Sequence, residues 1–294
     1  MESMEPTTAA PLAPAMAQEI PESPSAAVSN VAAHDRPVYV YAIGRVEPRF
    51  PSVSVEKELA QAMGRTDSAG LTDRESLQST LADRGNRYLA RQLCWVFLVQ
   101  GMETYLLTPR DPADLELLIE AVRPRPEPGD LDVLIGLLGP IAPPEACGLA
   151  VPVVALDQLY SFDRDSLLDA IPVPDEVDET GQERFRGASS EVLDRILQLS
   201  DNAGVRDEHR ALNYLAVRYP GIYSRTAQAH LANQSLSGVE ARPSRLTGVR
   251  AIVDVILSYT HRQTDVTEKY FVRVDVTEQF PFLVTKLSPF YDRS

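Results

Sequence analysis

The chain has 294 residues, enough for one or two domains with a real core. Its 28 basic and 42 acidic residues leave a formal charge of −14, which disfavours a sequence-blind grip on phosphate backbones or anionic lipid; neither nucleic acid nor a membrane is an expected partner. The longest clear apolar run, 94–99, is a strand's worth, the first residues carry Glu2 and Glu5 with no apolar signal core, and two cysteines are too few for a disulfide framework, so a cytoplasmic protein is expected.

Residues 1–36 are rich in Ala, Pro and Ser, with Arg36 the one base among several acids. Such a stretch buries too little apolar surface to offset its ordering entropy and reads as a disordered tail. The folded part opens with a strand at 38–43 that Gly44 is expected to end. A helix follows near 55–62. A second opens at Thr72, whose hydroxyl and the Glu75 carboxylate can satisfy each other's free backbone donors. Residues 93–99 and 104–108 read as a hairpin turned at Gln100 and Gly101. Asp111 caps a helix with Pro112 at its first position and Leu115, Leu118, Ile119 and Val122 as its apolar stripe. Strands at 133–137 and 151–156 flank a Pro/Gly loop holding Cys147.

An acidic stretch with Pro172 and Pro174 then separates two parts: 171–188 reads as an exposed linker between an α/β subdomain at 37–170 and a helical and β-rich subdomain at 189–294. Val192, Leu193, Ile196, Leu197 and Leu199 recur at helical spacing, with Gly204 placed to end that helix. Asp207 can cap the next, which Pro220 stops, and an Ala-rich helix spans about 222–233. From Leu246 the pattern turns β-branched and aromatic, over 249–259, 270–276 and 282–287. Val272, Val274 and Val276 alternate with Arg273 and Asp275, the mark of a half-buried strand, whereas 249–259 also fits a helical period. The expected fold class is α+β, with mixed or antiparallel sheet strands at both ends of the chain and helices packed between.

The sequence holds no G-x-S-x-G elbow, no H-E-x-x-H, no G-x-x-x-x-G-K-[ST] loop and no G-x-G-x-x-G turn. Nothing points to a nucleophile, and a non-catalytic protein is expected. Cys94 and Cys147 admit two readings: small buried residues, or a pair that meets in space and completes a metal site with a histidine or a partner's cysteines. Asp265 to Glu268 and Asp275 to Glu278 form a near-repeat that could bind a hard cation or could flank a strand and pair with Arg262, Lys269 and Arg273. Among the bases only Lys57, Lys269 and Lys286 are lysines; an arginine-rich groove would suit an acidic peptide, since guanidinium and carboxylate pair two-pronged.

The run from Ser258 to Glu278, followed by Phe280 to Pro289, closely resembles the C-terminal domain of PatG-type cyanobactin maturation proteins. Stretches at 38–46, 86–95, 139–144 and 207–220 look like the same family. In the multidomain members this module follows a subtilisin-like macrocyclase. The resemblance here implies a stand-alone accessory version, similar to those of crocagin-like pathways, that binds a ribosomally made precursor peptide and assists a tailoring enzyme. It also implies a homodimer and a structural zinc held by Cys94 and Cys147, the first inside one matching segment and the second three residues past another.

On that basis the expected function is precursor-peptide binding without catalysis, on an exposed β-rich terminus able to take an extended peptide as an extra strand. Arg245, Tyr259, Arg262, Tyr270 and Arg273 are the candidate peptide-binding residues. The competing expectations are a metal-dependent peptide-modifying enzyme and a purely structural dimerisation scaffold.

Overall fold

The structure, a computed structural model, describes residues 37–65, 72–173, 179–246 and 248–291. The tail read at 1–36 and the 174–178 part of the expected linker lie outside them.

The first half is a barrel with helices around it. In chain order its elements are β1 (Tyr39–Arg49), α1 (Val53–Arg65), α2 (Asp73–Ala82), α3 (Arg87–Gln92), β2 (Cys94–Val99), β3 (Met102–Thr108), α4 (Pro112–Ala121), β4 (Asp130–Ile141) and β5 (Pro152–Asp163). The strands close in the order β1-β2-β3-β5-β4. A ring of five strands cannot alternate direction all the way round, and the one parallel pair falls between β3 and β5. Closure removes every free edge from this sheet.

Gly44 does not end the first strand. It lets β1 turn a corner: residues 39–44 pair with β4, and 45–49 pair with β2. A Cβ at Gly44 would lie 2.1 Å from the Leu98 carbonyl oxygen, so only glycine allows the strands to approach this closely. The hairpin between β2 and β3 turns where expected, with Gln100 and Gly101 both left-handed, as its two-residue loop requires. Val40, Ala42, Trp95, Phe97, Tyr105 and Leu134 share one core with residues of α1 to α4, while Tyr41, Ile43, Val133 and Ile135 face a second core. β1 and β4 are therefore buried on both faces.

The expected capping box at Thr72 and the expected cap at Asp111 both form, and Asp114 adds a reciprocal bond to the second. Asp111 accepts from the N–H groups of Ala113 and Asp114 at the start of α4, and Thr72 and Glu75 exchange bonds at the start of α2. The Thr72 backbone N–H and Arg125 hold the Glu75 carboxyl at about 2, below its usual 4.5. A depressed folded value means a contribution present above pH 4.5 and lost as pH falls toward 2. Thr72→Ala is expected to cost about 1 kcal/mol. Acid titration of unfolding should be shallower between pH 4.5 and 2 in Glu75→Gln than in the parent.

The second half is a helical layer on a sheet. α5 (Arg164–Asp169), α6 (Glu179–Leu197), α7 (Asp207–Arg218) and α8 (Gly221–Leu231) lead into β6 (Gln234–Pro243), β7 (Ile252–His261), β8 (Thr267–Asp275) and β9 (Phe282–Pro289). The sheet is antiparallel throughout, in order β6-β7-β8-β9. Val192, Leu193, Leu212, Leu215, Ile222 and Tyr223 of the helices meet Val253, Val255, Leu257, Val272 and Val274 of the sheet in one core, which Tyr41 and Ile135 of the barrel join.

Three expectations change here, and one strand appears that the sequence reading did not name. Residues 179–188 of the expected linker are the start of α6, because Phe185 and Ala188 bury themselves in the core. Gly204 lies beyond the end of α6, against β1. The N-cap position of α7 is Arg206, and Asp207 instead pairs with Arg210 one turn on. Residues 252–261 are strand, both faces of which are covered, and β6 precedes it unannounced by any apolar run.

Candidate functional site

Cross-strand pairs share a face, so the register sorts the C-terminal sheet into two surfaces. Val253, Val255, Leu257 and Tyr259, opposite Val274, Val272, Tyr270 and Glu268, turn toward the helices. Asp254, Ile256 and Ser258, opposite Arg273, Phe271 and Lys269, turn the other way. The core helices pack on the first face. The second is covered by its own long side chains.

That outer face is a lattice of arginine and aromatic groups. Arg242 of β6 stands over the Phe290 ring at 5.3 Å, Phe290 meets Phe271 edge-on at 5.7 Å, and Arg273 lies 4.7 Å over Phe271. Arg273 also bonds Asp254 at 2.9 Å. Near β9, Arg250 stands over Phe282 and pairs with the buried Asp275. Beneath this layer Ile256 is 2% exposed, as dry as a core residue. β9 is an edge strand, and its alternate residues Phe282, Val284 and Lys286 are exposed. An exposed edge with apolar side chains is a template for another strand. At the sheet's margin Tyr219 of the α7–α8 turn accepts the Leu287 N–H at 3.0 Å.

Residues 179–290 match the family model described as PatG C-terminal. These residues are PatG-like. A solved structure described as "PatG Domain of Unknown Function" superposes with a TM-score of 0.66 over 86% of this chain and 98% of that one, at 20% identity, which shows a shared fold. No curated protein matches the chain. The PatG-like segment contains the whole of α6 to β9, and so the arginine–aromatic face.

The five residues picked from the sequence do not converge. Arg273 alone is in the outer lattice. Tyr259 is fully buried on the inner face, its hydroxyl 2.8 Å from that of Thr226 and its pKa pushed up to about 12 by burial. Tyr270 shares that face, beneath the Arg225 guanidinium at 3.9 Å. Arg245 is exposed in the β6–β7 loop, whereas Arg262, beside His230 Nδ1 at 3.2 Å, lies at the far end of β7, about 30 Å away along a ten-residue strand. What sequence reasoning missed is Phe271, Phe282, Phe290, Arg242 and Arg250. The alternation of Phe271 with Val272 was the available signal for the first.

Two acids of the near-repeat form ion pairs: Glu268 meets Arg225 and Asp275 meets Arg250. Among the described residues no group of three or more His, Cys, Asp or Glu is placed to hold a metal. Cys94 and Cys147 do meet, as a disulfide with Cα atoms 6.3 Å apart. The meeting in space is as one of the two readings had it, but here the sulfurs are bonded to each other, and in this form the pair does not offer the two thiolates that zinc requires. No helix among the described residues is long and apolar enough to cross a membrane.

Proposed function

We propose that this protein is a non-catalytic accessory factor of a cyanobactin-like pathway that binds a ribosomally made precursor peptide and presents it to a tailoring enzyme. One observation carries the reading: among the described residues no helix packs on one face of a PatG-like sheet, which carries arginines and aromatics and ends in an exposed apolar edge at β9. An extended peptide can pair with that edge through its backbone, while Phe282, Val284 and the Phe271–Phe290 pair read its side chains.

Calorimetry of the purified chain against precursor peptides encoded beside its gene tests this. Micromolar binding is expected, weakened about tenfold or more by Phe282→Ser with Val284→Asp. Both side chains are partly exposed and Phe282 loses its stack with Arg250, so unfolding should shift by only about 1 kcal/mol. Absence of binding at high micromolar peptide overturns the proposal.

A homodimer belongs to the same proposal, with the reduced Cys94 and Cys147 pair and a second copy's pair supplying four thiolates to one structural zinc. Light scattering with elemental analysis, before and after reduction, checks it: zinc uptake and a doubled mass are expected only on reduction.

A further inference from the structure

α7 carries Arg210, Tyr214 and Arg218 four residues apart, hence on one face. The three side chains do different things along that stripe. Arg210 is buried and donates to the carbonyls of Val276, Glu278 and Gln279, which fixes the β8–β9 loop. Tyr214 packs edge-on against Tyr41 at 6.3 Å. Arg218, exposed at the helix end, reaches over the Tyr160 ring at 4.9 Å.

Between this stripe, the barrel and the fixed loop lies a cleft of about 250 Å³, lined by Ile135, Gln158 and Pro281 beside Tyr41, Tyr160 and Arg218, with exposed Phe280 at its rim. Its floor is made of donors. The Tyr41 and Tyr160 hydroxyls bond each other at 2.6 Å. Two phenols sharing one bond use one proton between them and leave the second to donate outward. Burial holds the Tyr41 phenol far above its ordinary value, so it stays protonated at any physiological pH. Arg164, Arg225 and Arg273 each meet a carboxylate. Arg218 meets the two phenols instead, and among the described residues no acid pairs with it.

We infer that this cleft is a carboxylate subsite, seating a chain-terminal or side-chain carboxylate of the peptide. One guanidinium fork and one phenol O–H match the two oxygens of a single negative charge, and the apolar walls at Ile135, Phe280 and Pro281 suit a short aliphatic stem. Pro281 immediately precedes β9, so a strand added along that edge begins beside the cleft. The identity of the ligand rests on the peptide-binding reading; the donor geometry does not.

The test uses small probes: N-acetyl-leucine, N-acetyl-leucinamide, N-acetyl-aspartic acid α-amide and inorganic phosphate. Binding is followed by the NMR shifts of the Arg218 Nε–H and the tyrosine ring carbons. At least one acid should bind about tenfold more tightly than the amide, and Arg218→Met should remove that preference. Tyr160→Phe should weaken it severalfold while circular dichroism stays unchanged. The tighter acid names the source, chain terminus or side chain. Equal binding of acid and amide, indifference to Arg218→Met, or displacement by equimolar phosphate would each overturn the inference. Precursor binding without probe binding removes the cleft and leaves the proposed function; probe binding without precursor binding does the reverse.

Discussion

Reduction of the Cys94–Cys147 bond, or Cys147→Ser, is expected to lower the free energy of unfolding by about 3–4 kcal/mol. The bond closes a loop of 53 residues, for which chain entropy alone gives about 4 kcal/mol. Alternation along β2 explains what it fastens. Trp95 and Phe97 point into the barrel; Cys94 and Val96 point out, where Leu106 and Ala142 join them in a small apolar patch. The β4–β5 connection covers that patch with Ala146, Leu149 and Val151, and Cys147 pins it there. Cys147 and Gly148 are both left-handed, and for a cysteine that conformation costs about 1 kcal/mol, which relaxation on reduction returns. The net loss should therefore fall somewhat short of the entropic figure. Urea unfolding with and without reductant measures it, and Cys94→Ala with Cys147→Ala should show no response to reductant. Identical midpoints for the oxidised and reduced protein would mean that the two sulfurs are not joined in solution.

Local chemistry was legible in the sequence and closure was not. A capping box needs only two residues three apart and an N-cap before proline only two neighbours, so the starts of α2 and α4 could be read directly, as could the hairpin at Gln100 and Gly101. β6 escaped because Gln234–Pro243 has few apolar residues; its pairing partner β7, covered on both sides, supplies the burial that the strand's own composition does not suggest. The acidic run at 179–188 has the composition of a linker, and only its spacing of Phe185 and Ala188 against the core makes it helix. Site residues fared worse for a related reason. Tyr259 and Arg273 are both polar-aromatic or basic residues in β-rich sequence, yet one fills the core and the other faces outward, because parity along paired strands decides it. Register is a tertiary property, and one residue of slip exchanges the two faces.

Gly204 shows how a correct residue type can carry the wrong reason, and Gly204→Ala is expected to cost about 3–5 kcal/mol. A left-handed glycine after a helical pattern looks like a helix terminator, but α6 has already stopped at Leu197. Gly204 is instead where the chain touches β1: its carbonyl accepts the Tyr41 N–H at 2.9 Å. The Tyr41 carbonyl takes Asn213 Nδ2 at 2.8 Å, Asn213 takes Asn202 at 2.7 Å, and the Tyr105 hydroxyl holds the Ala203 carbonyl at 2.6 Å. An added Cβ would lie 2.3 Å from the Tyr41 oxygen and 2.7 Å from the Ala42 Cα, all backbone that cannot swing aside. Two other glycines separate the contributions. Gly187, in α6, has open space at its Cβ, so Gly187→Ala should stabilise by about 0.5–1 kcal/mol. Gly148 has open space but a φ of +69°, so Gly148→Ala should cost about 1 kcal/mol from conformation alone. Denaturant unfolding of the three variants should thus give a gain, a small loss and a large loss. If Gly204→Ala lost no more than Gly148→Ala, the contact with β1 would not be the seam that joins barrel to helical layer.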